Sequence, residues 1–227
     1  MTVEGYGAFG KIPSVGDFFR VNAPPGFVSA WDEWLQRCLV SGAHAYGADW
    51  DALYMSVPIW RFCLSPGLAG SQSMIGVVMP SVDRVGRRFP LTLMVPMADD
   101  TSVIREHLVQ DAVFAQMEDL ALSALDDDFS KDMLAEKLAA LAVPTRAKAD
   151  KCRVNGRSVV LCHEAGADGI APILASEVLA PTFQTPSIWS AVMDGDTRLM
   201  LCDGLPEGPN MQGLFDLDAE IWKEGCV

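Results

Sequence analysis

The chain has 227 residues, half of them apolar, and a formal net charge of −13 at pH 7; the apolar fraction argues against disorder and for a folded globule with a sizeable core. Such an acid excess repels phosphate backbones and disfavours nucleic-acid binding; membrane insertion is not expected, because SMIGVVMP and PLTLMVPM are broken by proline well short of about 18 apolar residues. The opening MTVEGYGAFGKIP has neither a basic start nor a continuous apolar segment, so no secretory signal is expected and the cytoplasm is the expected compartment.

After a Gly- and Pro-rich opening, Ser29 is placed to cap a helix with Asp32 at its third position. Trp31, Trp34, Leu35, Cys38 and Leu39 recur along one face of that helix. Three strand-like segments follow at 55–64, 74–80 and 89–97, separated by PGLAG and by the charged loop MPSVDRVGRRFPL at 79–91. Pro58, Pro90 and Pro96 favour strand ends, edges or bulges. Residues 99–125 read as one helix whose DDTS start suits the helix macrodipole, and DDDFS divides it from a second helix ending before Pro144. Residues 146–156 read as a linker or exposed turn. Strands are expected at 157–163, 187–193 and 198–203, a short helix near 172–179, and a tight turn at Asp194-Gly195-Asp196. The pattern predicts an α+β fold, one domain over 1–227, with an antiparallel or mixed sheet flanked by helices.

Chemistry is sparse. Gly5, Gly7 and Gly10 precede Lys11, but Ile12 stands where a phosphate loop needs Ser or Thr, so the glycines are expected to serve a close turn. The six cysteines form no CxxC pair and read as buried free thiols, without a structural zinc. With no GxSxG or HExxH run, neither catalytic residues, metal ligands nor a cofactor are expected. Asp17 and Arg20, three apart, suit a local ion pair. Asp83 with Arg84, Arg87 and Arg88 suits a larger network, since the guanidinium fork satisfies carboxylates or phosphates. Trp31, Trp34, Trp50 and Trp60 read equally as core or as interface anchors.

Four ordered stretches carry a resemblance: GAFGKIPSVGDFFR at 7–20, WDEWLQ at 31–36, YMSVPIWRFCLSPGLAG at 54–70 and GVVMPSVDRVGRRFPLTL at 76–93. Together they resemble the TagF (ImpM) family of bacterial type VI secretion-associated proteins, with residues 5–145 as the characteristic region and 146–227 as a variable continuation of the same domain. Lys11, Asp17, Arg20, Trp60, Arg61, Asp83, Arg84 and Arg87 match the family's motifs, whereas Arg88 stands where an aromatic is common. The phosphatase domain appended in some relatives has no counterpart in these residues. The resemblance implies a non-enzymatic cytoplasmic repressor, acting after the secretion components are made by binding their forkhead-associated scaffold or another secretion component. Two alternatives use the same charges: a nucleotide- or phosphate-directed enzyme, and a phosphopeptide-binding module built on Arg84, Arg87 and Arg88. The sequence leaves homo-oligomerisation open.

Overall fold

Two runs of Met, Ile, Val and Leu, buried almost throughout, form β4 (Met74–Met79) and β5 (Leu91–Pro96) at the centre of a seven-stranded sheet. The computed structural model describes residues 5–98, 102–144, 151–155, 158–162, 169–193 and 195–223. The other sheet strands are β1 (Gly7–Gly10), β2 (Phe19–Val21), β3 (Trp60–Leu64), β8 (Pro186–Met193) and β9 (Asp196–Asp203), numbered to leave β6 (Lys151–Asn155) and β7 (Ser158–Cys162) as a separate hairpin. The order is β2-β1-β5-β4-β3-β8-β9, and each adjacent pair is antiparallel. The fold is therefore α+β, and its main sheet takes the antiparallel of the two expected forms.

Period-two alternation divides the sheet's side chains between two cores. Ile75, Val77 and Met79 of β4 and Leu91, Leu93 and Val95 of β5 face α3 (Val103–Val109), α4 (Asp111–Ser123) and α5 (Lys131–Ala140). Phe62, Met74, Val78 and Met94 face α1 (Phe27–Tyr46), whose Trp31 and Trp34 join Trp189 of β8 in one aromatic cluster. Each ring nitrogen finds an acceptor: Trp31 Nε1 donates to Thr92 Oγ1 at 2.9 Å, Trp34 Nε1 to the Pro206 carbonyl at 3.0 Å, and Trp60 Nε1 to the Leu214 carbonyl at 2.8 Å. Trp50 is buried too, with its ring against Gly42, so Trp31, Trp34, Trp50 and Trp60 belong to the interior rather than to an exposed interface.

Several expectations are corrected. The helix after the opening begins at Phe27, not after Ser29, because the Pro24-Pro25-Gly26 turn starts it; Ser29 Oγ instead donates back to the Gly26 carbonyl. Residues 55–59 are not strand: Met55 and Ser56 end α2 (Trp50–Ser56), and β3 starts only beyond Pro58. The single helix expected over 99–125 is two, because Gln110 leaves helical geometry (φ −95°, ψ 35°) between α3 and α4; residues 99–101 lie outside the described residues. Lys151–Asn155 pairs in β6 rather than forming a linker, while 146–150 lie outside the described residues. The short helix is α6 (Ile170–Leu179). Within the Asp194-Gly195-Asp196 turn, Asp194 is outside the described residues and Gly195 has φ +87°. By register, β8 pairs with β3 (Phe62 opposite Trp189), so the C-terminal strands extend the first sheet. A short helix, α7 (Pro209–Gly213), adds Met211 to the aromatic core. Among the described residues no helix is long and apolar enough to cross a membrane.

Candidate functional site

The β1–β2 loop (residues 11–18) and the β4–β5 loop (80–90) interlock at one end of the sheet. Gly10 permits this: its φ is +136°, and a Cβ there would collide with the Pro90 carbonyl oxygen. With the chains this close, Lys11 enters the interior at 4% exposure and its Nζ donates to Asp83 Oδ2 at 3.0 Å. The Asp83 side chain is fully covered and is satisfied on both oxygens. Oδ1 accepts from the Val85 and Arg87 amides at 3.1 and 2.9 Å, and Oδ2 accepts from Arg87 Nε at 2.6 Å as well as from Lys11. Burial opposes the charge on Asp83, but the hydrogen bonds from the Arg87 amide, Lys11, the Arg87 side chain and the Val85 amide outweigh it and hold the carboxyl well below its ordinary range. Across the loops, Ser81 Oγ donates to the Lys11 carbonyl at 2.8 Å, the Arg84 amide to the Val15 carbonyl at 3.0 Å, and Arg87 Nη2 to the Gly16 carbonyl at 2.6 Å.

The structure gathers Lys11, Asp83, Arg84 and Arg87 but does not converge the three loop guanidiniums. Arg87 stays exposed while its guanidinium bonds Asp83 and the Gly16 carbonyl, Arg84 is exposed with its guanidinium also beside Gly16, and Arg88 Nη2 lies apart, paired with Asp51 at 2.6 Å. Asp17 and Arg20 form no ion pair among the described residues. Three-residue spacing suits a helix, whereas here the chain enters the extended β2; Asp17 Oδ1 accepts from the Phe18 amide at 2.8 Å, and Arg20 stands exposed opposite Phe9. Trp60 and Arg61 lie apart, on opposite faces of β3. Trp60 is buried, while Arg61 grips Glu118 with Nε and Nη2, both at 2.7 Å, and Asp111 with Nη1 at 2.5 Å, tying β3 to α4. The bond to Glu118 foremost holds this guanidinium above its usual pKa.

Two exposed apolar residues were not singled out as contacts by sequence reasoning. Phe18, 45% exposed, meets Phe89 edge-on at 4.7 Å, with Lys11 Nζ 4.7 Å from its centroid; Val85, 70% exposed, occupies the turn above Asp83. The signal for Phe18 was the pair Phe18-Phe19 entering a strand, where consecutive side chains leave on opposite faces and one must point outward. Among the described residues no group of His, Cys, Asp and Glu is placed to hold a metal ion.

His107 makes a further buried polar contact, between α3 and β8: its Nε2 lies 2.8 Å from Ser190 Oγ and its ring meets Phe114 edge-on. Burial first, and the nearby Arg61 charge second, lower its pKa from 6.5 to about 3. The unfolded chain therefore takes up a proton that the native protein refuses, and stability falls as pH drops from about 6.5 towards about 3. The expected slope in that window from this residue is roughly 1 kcal/mol per pH unit. His107→Gln is expected to flatten it in urea unfolding measured across the same pH series; an unchanged slope contradicts the assignment.

The described geometry has relatives. The family described as the TagF N-terminal domain, type VI secretion system-associated, matches residues 7–141, more than half of the chain and all of both interlocked loops. The crystal structure of PA0076 from Pseudomonas aeruginosa PAO1 is similar with a TM-score of 0.75 and 31% sequence identity, covering 98% of this chain and 96% of that one. No curated protein matches the chain. The chain thus belongs to the TagF family, whose association with type VI secretion gives it a non-enzymatic, regulatory role in that system.

Proposed function

We propose that the protein is a cytoplasmic repressor of type VI secretion that acts after its components are made, by binding their forkhead-associated scaffold. The supporting observation is the division of labour in the loop pair, which lies within the family-matched region. Lys11, Asp83 and Arg87 are consumed in holding the loop, while Arg84, Phe18 and Val85 are left facing solvent on a fixed frame. A preorganised surface binds without first ordering a loop. Preference for one scaffold state moves that state's population with no covalent chemistry. Residues 1–227 act as one domain in this reading: 5–145 carry the family-characteristic region, and 146–227 continue it through β8 and β9.

The test is secretion output in cells of the source bacterium lacking the protein and in cells overproducing it, with scaffold and sheath component levels monitored. Removal is expected to raise secretion and overproduction to suppress it, at constant component levels. Output insensitive to both changes contradicts the repressor reading.

A further inference from the structure

We propose that the outer edge of β9 is a self-association surface, on which β9 of a second copy of this chain pairs antiparallel and continues the sheet. The backbone carries the first argument. Gly204 N donates to the Thr185 carbonyl at 2.8 Å and Asp203 lies opposite Pro186, so the even-numbered residues of β9 turn their peptide groups to β8, while Thr197, Leu199, Leu201 and Asp203 turn theirs outward. β9 ends the strand order, and among the described residues those outward backbone groups have no hydrogen-bond partner. Soluble proteins usually shorten, bulge or block such an edge with proline or lysine. The opposite edge follows that rule, since β2 has three residues. β9 has eight, pairs with β8 without a bulge, and contains neither proline nor lysine.

The strand's own sequence identifies the occupant. A two-fold axis at Met200 sets Leu199 opposite the partner's Leu201 and Thr197 opposite the partner's Asp203, and these are the outward-turned residues that an antiparallel neighbour meets. Asp203, whose Oδ1 already accepts from Thr185, offers Oδ2 to the partner's Thr197 hydroxyl. Leu199, 48% exposed, is covered in the same step, next to Val192, which lies opposite Thr197 on that face and is 59% exposed. Charge selects this register: an axis at Arg198 opposes two guanidiniums, and an axis at Leu201 sets Leu199 against Asp203. The pairing consumes both long edges and closes at a dimer, because β2 offers no comparable strand. A strand pair of this length covers less than the roughly 1,200 Å² of a stable interface, so the dimer is weak. Since each copy carries −13, net charge opposes it and added salt strengthens it.

The experiment is sedimentation equilibrium of the whole protein from about 1 μM to about 1 mM, at about 0.05 and about 0.5 M salt. The expected result is a monomer–dimer equilibrium that tightens at the higher salt. Leu199→Pro removes an N–H that β8 does not use, so it is expected to keep the circular dichroism spectrum while weakening the dimer by about tenfold or more. Leu199→Lys guards the edge without touching the backbone and is expected to act in the same direction, which keeps the test decisive if the proline disturbs folding. The register has its own signature. Thr197→Asp faces the partner's Asp203 and is expected to weaken association, Thr197→Lys to tighten it, each by roughly threefold to tenfold. A protein that stays monomeric over the whole concentration range overturns the proposal, and so does a dimer that folded Leu199→Lys leaves intact. Equal affinities for Thr197→Asp and Thr197→Lys reject the pairing about Met200. No scaffold enters these measurements, so their failure leaves the repressor reading standing.

Discussion

Trp31→Ala is expected to lower the unfolding free energy by about 3–5 kcal/mol, a cost typical of truncating a buried aromatic. Trp31 is fully buried at the hub of the aromatic core. Its ring lies 4.8 Å from both Trp34 and Phe62, 5.3 Å from Phe27, and stacked at 6.0 Å on Trp189. Truncation leaves a cavity between a helix and a sheet, neither of which can collapse without disturbing the other. It also removes the donor to Thr92 Oγ1, on a residue with no exposure. For a chain of this size that cost corresponds to a fall of roughly 10 °C in Tm. Trp31→Phe retains most of the stacking but not the Thr92 bond and is expected to fall between. Chemical unfolding of the three proteins checks the order; a loss below about 1 kcal/mol for Trp31→Ala contradicts the packing described here.

The second large effect is expected at the loop pair. Asp83→Leu removes the acceptor for the Val85 and Arg87 amides and for Arg87 Nε, and it strands the Lys11 ammonium at 4% exposure. Lys11→Met leaves Asp83 with three of its four donors and is milder. The Lys11→Met/Asp83→Leu double variant is expected to be more stable than Asp83→Leu alone, because it removes an uncompensated buried charge. Loss in the Asp83→Leu single variant should be comparable with that of Trp31→Ala, read as the shift in unfolding midpoint. Additive losses in the double variant contradict the coupling. Acid provides a separate signature. Since the folded carboxyl titrates below its unfolded value of 3.8, its contribution is present above that pH and is lost as pH falls below it. His107 begins to act earlier, from about pH 6.5 downward. The His107→Gln protein should therefore keep the late acid transition while losing the early slope.

Local pattern carried much of the fold. The apolar face of α1 was legible because five of its residues recur at helical spacing, and β4 and β5 because their apolar runs are bounded by turn residues. The role of the tryptophans was not legible, since burial depends on Trp189, 158 positions beyond Trp31 in the chain and brought near by β8 pairing with β3. The break at Gln110 left no mark, because glutamine is an ordinary helix former. β2 was too short to show alternation. At the site, sequence grouped Asp83 with its neighbouring arginines, of which Arg87 pairs with it. It placed Lys11 among the candidates without pairing it to Asp83, 72 positions away, because that contact follows from β1 lying beside β5 with Gly10 against Pro90. Arg61 was grouped with the loop charges by motif alone, and the sheet sends it instead to the α4 side.

Scaffold recognition is tested most directly by titrating the purified, folded protein with the purified forkhead-associated scaffold of the same secretion system. Saturable binding that weakens for Arg84→Glu at unchanged Tm is the predicted result. A correctly folded protein that gives no binding heat and no co-elution with that scaffold at any salt concentration would contradict the account.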